Sequence, residues 1–373
     1  MTAQRPTRIL VVLSRMDIVT ATVRGLQFKP FFEEDPNFLV EYFVWLPPWL
    51  FRLSQLWPQR RFLAWPMRCF QALVLRWREA RIAAKAEHFD LVYLITVYSD
   101  PLYRRLFRQN VCVITELIDG LWLPWFRQFG WHHLEEILGQ STAVFCENRY
   151  TAAYARRYNE RVFMVTDAPQ VEVFDRWRAK VDRPQSETIL GWIGGKDSAD
   201  ALYVVYEALE RLFARHESLH LRILGVPPEQ LPRFENVRYS LVERYDQQTM
   251  VREALRMHIG LFPQFDVEES VCRGTLKAKI YMAGGAVAVC QDHGENRDLI
   301  EDGVNGVLAT GTDQWFEKLD WLINHPEQRT RIAEAGLATI RDRFTARHCF
   351  EQLQTALTGV HTTDAPSSPK ESL

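Results

Sequence analysis

The sequence predicts an α/β protein made of two doubly wound parallel-sheet domains, and three observations predict it. Short runs rich in valine, isoleucine and leucine recur with helix-period stretches between them, the pattern of strands covered by helices on both faces. A polar, proline-containing stretch, RAKVDRPQSE (Arg178 to Glu187), interrupts that alternation once, after which it resumes. The chain also has room for two such units, with 373 residues of which 47% are apolar and 25% charged, values typical of soluble globular domains.

In the first half, RILVVLS (Arg8 to Ser14), FDLVYLITV (Phe89 to Val97), NVCVITEL (Asn110 to Leu117) and TAVFCEN (Thr142 to Asn148) read as buried strands. Residues 1–177 form a first domain and 178–187 a linker. In a second domain, 188–345, the strands are TILGWIGG, LHLRILGV, HIGLFP and GAVAVC, with amphipathic helices between them. From Asp313 to Leu357 the pattern is helical throughout; 346–360 is a helix that can return to the first domain, and 361–373 is a polar tail with little to bury. In open parallel sheets ligands sit at the carboxyl ends of strands. Candidate residues therefore follow each strand: Arg15 to Asp17, Ile118 to Trp122, Gly194 to Asp200, Val226, Pro263 to Arg273 and Gln291 to Arg297. The two sheets are expected to face a shared cleft.

Composition removes several classes. The six cysteines show no C-x-x-C spacing and no nearby histidine pair, which argues against a disulfide framework or a structural zinc site and fits a reducing cytoplasm. The opening apolar run is too short for a signal peptide core, and nowhere do about 18 uncharged apolar residues follow one another, so no spanning helix is expected. Net charge is −2, yet between Trp49 and Ala86 eight arginines and lysines stand against the single acid Glu79. That stretch interleaves the cations with tryptophan, phenylalanine and leucine. It suits either the surface of an anionic membrane or a packed helix with a solvated basic face, and Pro58 and Pro66 imply that it is not one continuous helix. No nucleic-acid-binding module accompanies it.

GWIGGKDSAD (Gly191 to Asp200) places Gly194, Gly195, Lys196 and Ser198 where a strand turns into a helix. Glycines let backbone N–H groups approach an anion, a helix amino end carries about half a positive charge, and a lysine adds a full one. The turn is either a phosphate seat or a tight loop with a solvated lysine; the Walker spacing is absent. In GTLKAKIYMAGGAVAVC (Gly274 to Cys290), Lys277 and Tyr281 share a helix face. A lysine in the first turn opposes the helix dipole unless an anion answers both. The plain alternative is a surface lysine. Lys279 falls on another face with no such motive.

These residues carry a resemblance. CRGTLKAKIYMAGGAVAVCQDHGENRDLIEDGVNGVLA (Cys272 to Ala309) is similar to the donor-binding core of retaining glycosyltransferases of the family 4 type, whose pattern is a helix ending A-M-A-x-G-x-P-V-V, then G-x-N-x-E-[IL]-V, then EDGVNG-[LF]-L. Glu301 to Gly306 matches the hexapeptide letter for letter. TILGWIGGKDSADAL, ITELIDGLWL and TATVRGLQFKPFF resemble further stretches of that family. The resemblance implies the GT-B fold of two facing Rossmann-like domains, with no metal, no cofactor beyond the nucleotide-diphosphate sugar that is its co-substrate, and no protein nucleophile. It places the donor's diphosphate near Gly195, Lys196 and Lys277, with Gly194, Ser198, Arg273 and Tyr281 also among the donor-binding residues. Glu268 and Glu269 would stand beside the sugar hydroxyls, with Gly294, Glu295 and Asn296 on sugar or phosphate.

This chain departs from the pattern at three places. Ile280 stands where the family's ribose-binding glutamate ends its E-x(7)-E pair, Gly195 replaces a phosphate-binding arginine, and Asp200 replaces a lysine.

Asp119 and Glu116, ending a strand, are candidates to orient or deprotonate an acceptor hydroxyl, with Glu269 as a third catalytic carboxylate; Asp119 equally suits the turn residue of IDGLW. Arg15, Asp17 and Arg24 lie on the acceptor side. The expected function is transfer of a sugar to a glycan or lipid-linked acceptor in surface polysaccharide or glycoconjugate synthesis, in the cytoplasm or peripherally at the inner face of the membrane. A non-catalytic GT-B partner in a glycan assembly complex is the alternative.

Overall fold

The computed structural model describes residues 5–16, 19–55, 61–124 and 132–361. The described residues up to Thr166, together with those from Cys349 onward, form one compact unit, and Asp167–His348 form the other. The first contains β1 (Thr7–Leu13), β2 (Phe38–Val44), β3 (Leu91–Ile95), β4 (Val113–Leu117), β5 (Ala143–Cys146) and β6 (Val162–Met164), all parallel, in the order β2-β1-β3-β4-β5-β6. The second contains β7 (Thr188–Ile193), β8 (Leu219–Leu224), β9 (Tyr239–Val242), β10 (Ile259–Phe262), β11 (Val287–Gln291) and β12 (Val307–Ala309), in the order β12-β11-β10-β7-β8-β9. These are the doubly wound orders the sequence predicts, and each sheet reverses direction once, between β1 and β3 and between β7 and β10. The crevice at such a reversal, outside the carboxyl ends, is where ligands bind in this architecture.

All eight strands read from the sequence are present, and β2, β6, β9 and β12 are added; these four are the sheet edges. The helical carboxyl-terminal stretch resolves into Gly311–Asn324, Pro326–Arg343 and Ala346–His361. Within the first unit the last of these sets the Phe350 ring against Phe31 and Phe32 at 5.3 and 4.9 Å, and Gln352 accepts a hydrogen bond from the Thr166 amide at 3.0 Å. Two local expectations are refined. Pro66 lies inside the helix Arg61–Ala86 and does not end it, while the segment is still two helices, Pro48–Gln55 and Arg61–Ala86, and not one continuous helix. The turn at Gly195 runs into a 3-10 stretch, Lys196–Val204, before the α-helix Tyr206–Arg215 begins. Pro58 lies outside the described residues.

At the second reversal β7 and β10 pair over only two positions, Ile259 with Leu190 and Gly260 with Gly191. Beyond them the Tyr281 hydroxyl takes over, accepting from the Ile193 amide at 2.8 Å and donating to the Leu261 carbonyl at 3.1 Å. Gly260 leaves room for this ring, since a Cβ there would come within 2.0 Å of Tyr281 Cγ. Tyr281 is wholly buried, so burial pushes its hydroxyl far above the usual tyrosine range. Replacing it by phenylalanine orphans a buried amide and a buried carbonyl, and should lower the free energy of unfolding by about 1–3 kcal/mol, read as an earlier denaturant midpoint at unchanged slope.

Candidate active site

At the carboxyl edge of the second sheet, the Gly194–Gly195 turn follows β7 at the reversal. Gly194 is packed tight: a Cβ would meet Trp192 at 2.1 Å and Ser198 Oγ at 2.8 Å. Gly195 is open, and its amide donates to Ser198 Oγ at 3.2 Å. From the first turn of helix Leu276–Gly284, Lys277 Nζ reaches the same Ser198 hydroxyl at 3.0 Å, resting over the rings of Trp192 and Phe262 at 5.3 and 5.7 Å. Lys196 is exposed beside it. The structure thus ties Gly194, Gly195, Ser198 and Lys277 into one turn, with Lys196 on its rim. Tyr281, which the sequence placed among donor contacts, is corrected to a core residue, because both valences of its hydroxyl are spent on backbone.

The loops after β10 and β11 lock together. Asn296 Nδ2 donates to Gln264 Oε1 and to the Gln291 carbonyl, both at 2.8 Å, and a His293 ring nitrogen meets the Phe265 carbonyl at 3.2 Å. Gly294 adopts φ +54° and presses on Val271, whose carbonyl oxygen a Cβ would meet at 2.7 Å. Glu269 pairs with Arg273 at 2.6 Å, whereas Glu268 is exposed at the start of helix Glu268–Val271.

Lys279, for which the sequence offered no role, is 1% exposed and binds Asp167 through its carboxylate at 2.6 Å and its carbonyl at 3.2 Å. Glu295 stands near this pair and takes the Thr275 amide at the amino end of the same helix. Four buried polar atoms there have no hydrogen-bond partner among the described residues: Thr275 Oγ1, Glu295 Oε2, Asn296 Oδ1 and His293 Nδ1. Sequence reading missed Lys279 because a lysine between apolar positions counts as a surface residue; the signal was its i, i+4 relation to Thr275 and Ala283 on the buried face.

Burial, with Asp167 and Asp298 adding to it, pushes the Glu295 carboxyl up from 4.5 to about 7 against the opposing pull of Lys279. A carboxyl that holds its proton more tightly when folded contributes stability that is present below about pH 4.5 and lost as pH rises through about 7. Glu295→Gln should remove that slope. In urea unfolding, the variant should gain on the wild type across that interval and hold a constant difference above it.

In the first unit the reversal between β1 and β3 brings Ser14 Oγ and Thr96 Oγ1 to 2.8 Å. Thr96 and Asp119, after β3 and β4, hold φ +50° and +55°, a region costly for a β-branched residue and tolerated by aspartate. Asp119 is half-buried at its turn, and the Arg15 guanidinium lies 3.3 Å over the Phe51 ring. Glu116 is corrected from an open carboxylate to a core one. It is 1% exposed and accepts from Arg24 Nε at 2.8 Å and from Tyr93 at 2.7 Å. Arg24, read as an acceptor-side group, is buried in the same pair and also donates to the Val165 carbonyl at 2.5 Å. Asp17 lies outside the described residues. Among the described residues no three His, Cys, Asp or Glu side chains gather as a metal site.

Residues 206–355 match the family described as Glycosyl transferase-like. Among curated proteins, none matches the chain by sequence. Solved structures share the fold at low identity. Anabaena HepE in complex with UDP and glucose has a TM-score of 0.67 and 14% identity over 95% of this chain and 100% of that one. The UDP-forming α,α-trehalose-phosphate synthase of Burkholderia vietnamiensis has a TM-score of 0.68 and 12% identity over 96% and 100%. A Rickettsia africae glycosyltransferase has a TM-score of 0.65 and 12% identity over 96% and 100%. This chain therefore has the GT-B fold of two Rossmann-like units, and residues 206–355 are similar to the glycosyl transferase-like family.

Proposed function

We propose that the protein is a retaining, metal-independent glycosyltransferase that moves a sugar from a nucleotide-diphosphate donor to a glycan or lipid-linked acceptor. One observation carries the reading: Lys277, set against its own helix dipole, bonds Ser198 of the open Gly-Gly turn at the sheet reversal. A cation in a first turn lacks an intrinsic electrostatic reason to be there. With Lys196 it forms a seat in which the leaving diphosphate's growing charge is stabilised. UDP is the first donor nucleotide to try, because HepE was solved with UDP and glucose. The acceptor hydroxyl is assigned to the carboxyl edge of the first sheet, with Asp119 as the group that orients it.

A thermal-shift series with UDP-, GDP-, ADP-, CMP- and dTDP-sugars tests this, since ligand at a hundred times its dissociation constant adds about 2.7 kcal/mol to the folded state. One nucleotide sugar should raise the melting temperature by several degrees, and Lys277→Ala should abolish the shift. In turnover assays Lys196→Ala and Lys277→Ala should each lose about tenfold or more, roughly 1.4 kcal/mol of transition-state stabilisation. No shift with any donor, in protein that melts cooperatively, would favour the non-catalytic GT-B partner.

A lipid-linked acceptor is supported by the helix Arg61–Ala86. Trp65, Leu73 and Trp77 are 67%, 69% and 55% exposed, spaced so that with Cys69 they form one i, i+4 stripe, while Arg68 and Arg76 lie exposed alongside. Aromatic rings at the headgroup level with cations beside them suit an anionic bilayer surface. The protein should co-sediment with phosphatidylglycerol vesicles, and serine at Trp65, Leu73 and Trp77 together should leave it in the supernatant with donor binding intact.

A further inference from the structure

We infer that the second unit holds a further anion site, at the edge of its sheet opposite Lys277, for a small molecule bearing a phosphate or diphosphate group. A cavity of about 460 Å³ opens there. Arg183, His258 and Gly285 in its wall precede β7, β10 and β11 respectively, whereas Gly195, Gln264 and Asn296 follow those strands. Because the strands are parallel, the two groups lie at opposite edges, and an anion in the cavity is not the donor's diphosphate.

Three guanidinium groups converge on the cavity, and each is anchored on the carboxyl end of a helix. Arg183 donates to the carbonyls of Leu255, Gly284 and Gly285 at 3.1, 2.7 and 2.7 Å, Arg178 to Ala283 at 2.6 Å, and Arg329 to Leu322 at 3.0 Å. Gly285, at φ +74°, makes room for two of them: a Cβ there would meet Arg178 Nη1 at 3.3 Å and Arg183 Nη2 at 3.5 Å.

Capping alone leaves the charge unbalanced. A helix end carries about half a negative charge, so the three ends answer roughly half of the three guanidinium charges. The carboxylate in the cavity wall, Glu334, is exposed to water at the rim. Asp175 lies 3.6 Å from Arg178 but is shared with Arg341 at 2.9 Å. Burial, then Arg178 and Arg329, lowers Arg183 to about 10. Burial, Arg183 and Arg329 drive His258 down to about 4, so its imidazole is neutral and adds no charge.

Donors are left over to meet an anion. Arg178 Nε meets only the Asp175 carboxylate, at 3.6 Å, beyond hydrogen-bond distance, and Nε and Nη2 of Arg329 bond nothing among the described residues. A planar guanidinium fork matches phosphate oxygens two at a time. Val181, Leu255 and Leu337 give the rest of the molecule an apolar wall, and the volume falls in the range of small-ligand sites.

Isothermal titration with inorganic pyrophosphate tests the site in the full chain, using wild type, Lys196→Ala/Lys277→Ala, Arg329→Met and Glu334→Gln, each checked for fold by circular dichroism. Saturable binding should survive the double lysine variant, weaken about tenfold or more in Arg329→Met, and tighten in Glu334→Gln. Binding that disappears with the lysines and persists in Arg329→Met would place the anion at the donor side alone and overturn the inference. No saturable binding at millimolar pyrophosphate would overturn it too. If Arg329→Met does not fold, Glu334→Gln decides, and an affinity equal to wild type counts against the site.

Discussion

Where two neighbouring strands of a parallel sheet diverge, as β7 and β10 do after two paired positions, their facing backbone groups lose their ladder partners in a dry interior. In the second unit the Tyr281 hydroxyl meets that demand, one oxygen satisfying the Ile193 amide and the Leu261 carbonyl. An unpaired buried amide costs as much as the hydrogen bond it forgoes. The crevice at β7 and β10 therefore exists because one phenol spans it, and Gly260 is glycine because the ring needs the space a side chain would fill.

The Gly194–Gly195 turn and Lys277, the proposed donor side, hang from the helix that carries this tyrosine. From Ala278 to Gly284 it is buried, so each polar group on it is obliged to find a partner. Lys279 finds Asp167, the first residue of the unit, and fixes the segment entering the sheet. Such a pair gains little by existing and costs about 3–5 kcal/mol when one member is removed, which makes it an anchor. Lys277, four residues before Tyr281, inherits a fixed position from that anchored helix and holds the Gly195 turn through Ser198. The site is thus built on a rigid element, with the Lys196 side chain left exposed.

What the sequence made legible divides along burial. The eight strands it revealed are the inner ones, largely buried runs of apolar residues; the four it hid, β2, β6, β9 and β12, are the edges, half exposed or three to four residues long. The glycine turn and Lys277 were readable because their positions clash with simple rules for strands and helix dipoles. Lys279, Glu116 and Arg24 were misread for one common reason. Pairing in three dimensions turned ionisable residues into core ones, and neither Asp167, 112 positions from Lys279, nor Glu116, 92 from Arg24, announces itself as a partner in a linear pattern.

The helix Leu276–Gly284 also separates cations that stability explains from one that it does not. At its carboxyl end Arg178 and Arg183 cap orphan carbonyls and complement the dipole, gains that need no ligand. At its amino end Lys277 opposes the same dipole, where an acid would have served the fold better. Sequences consistent at every level keep such a local conflict where some other demand compensates it. The sign of the charge against the helix direction is therefore what supports the proposed chemical role of Lys277, whereas its arginine neighbours serve architecture first and leave only surplus donors for the proposed second anion.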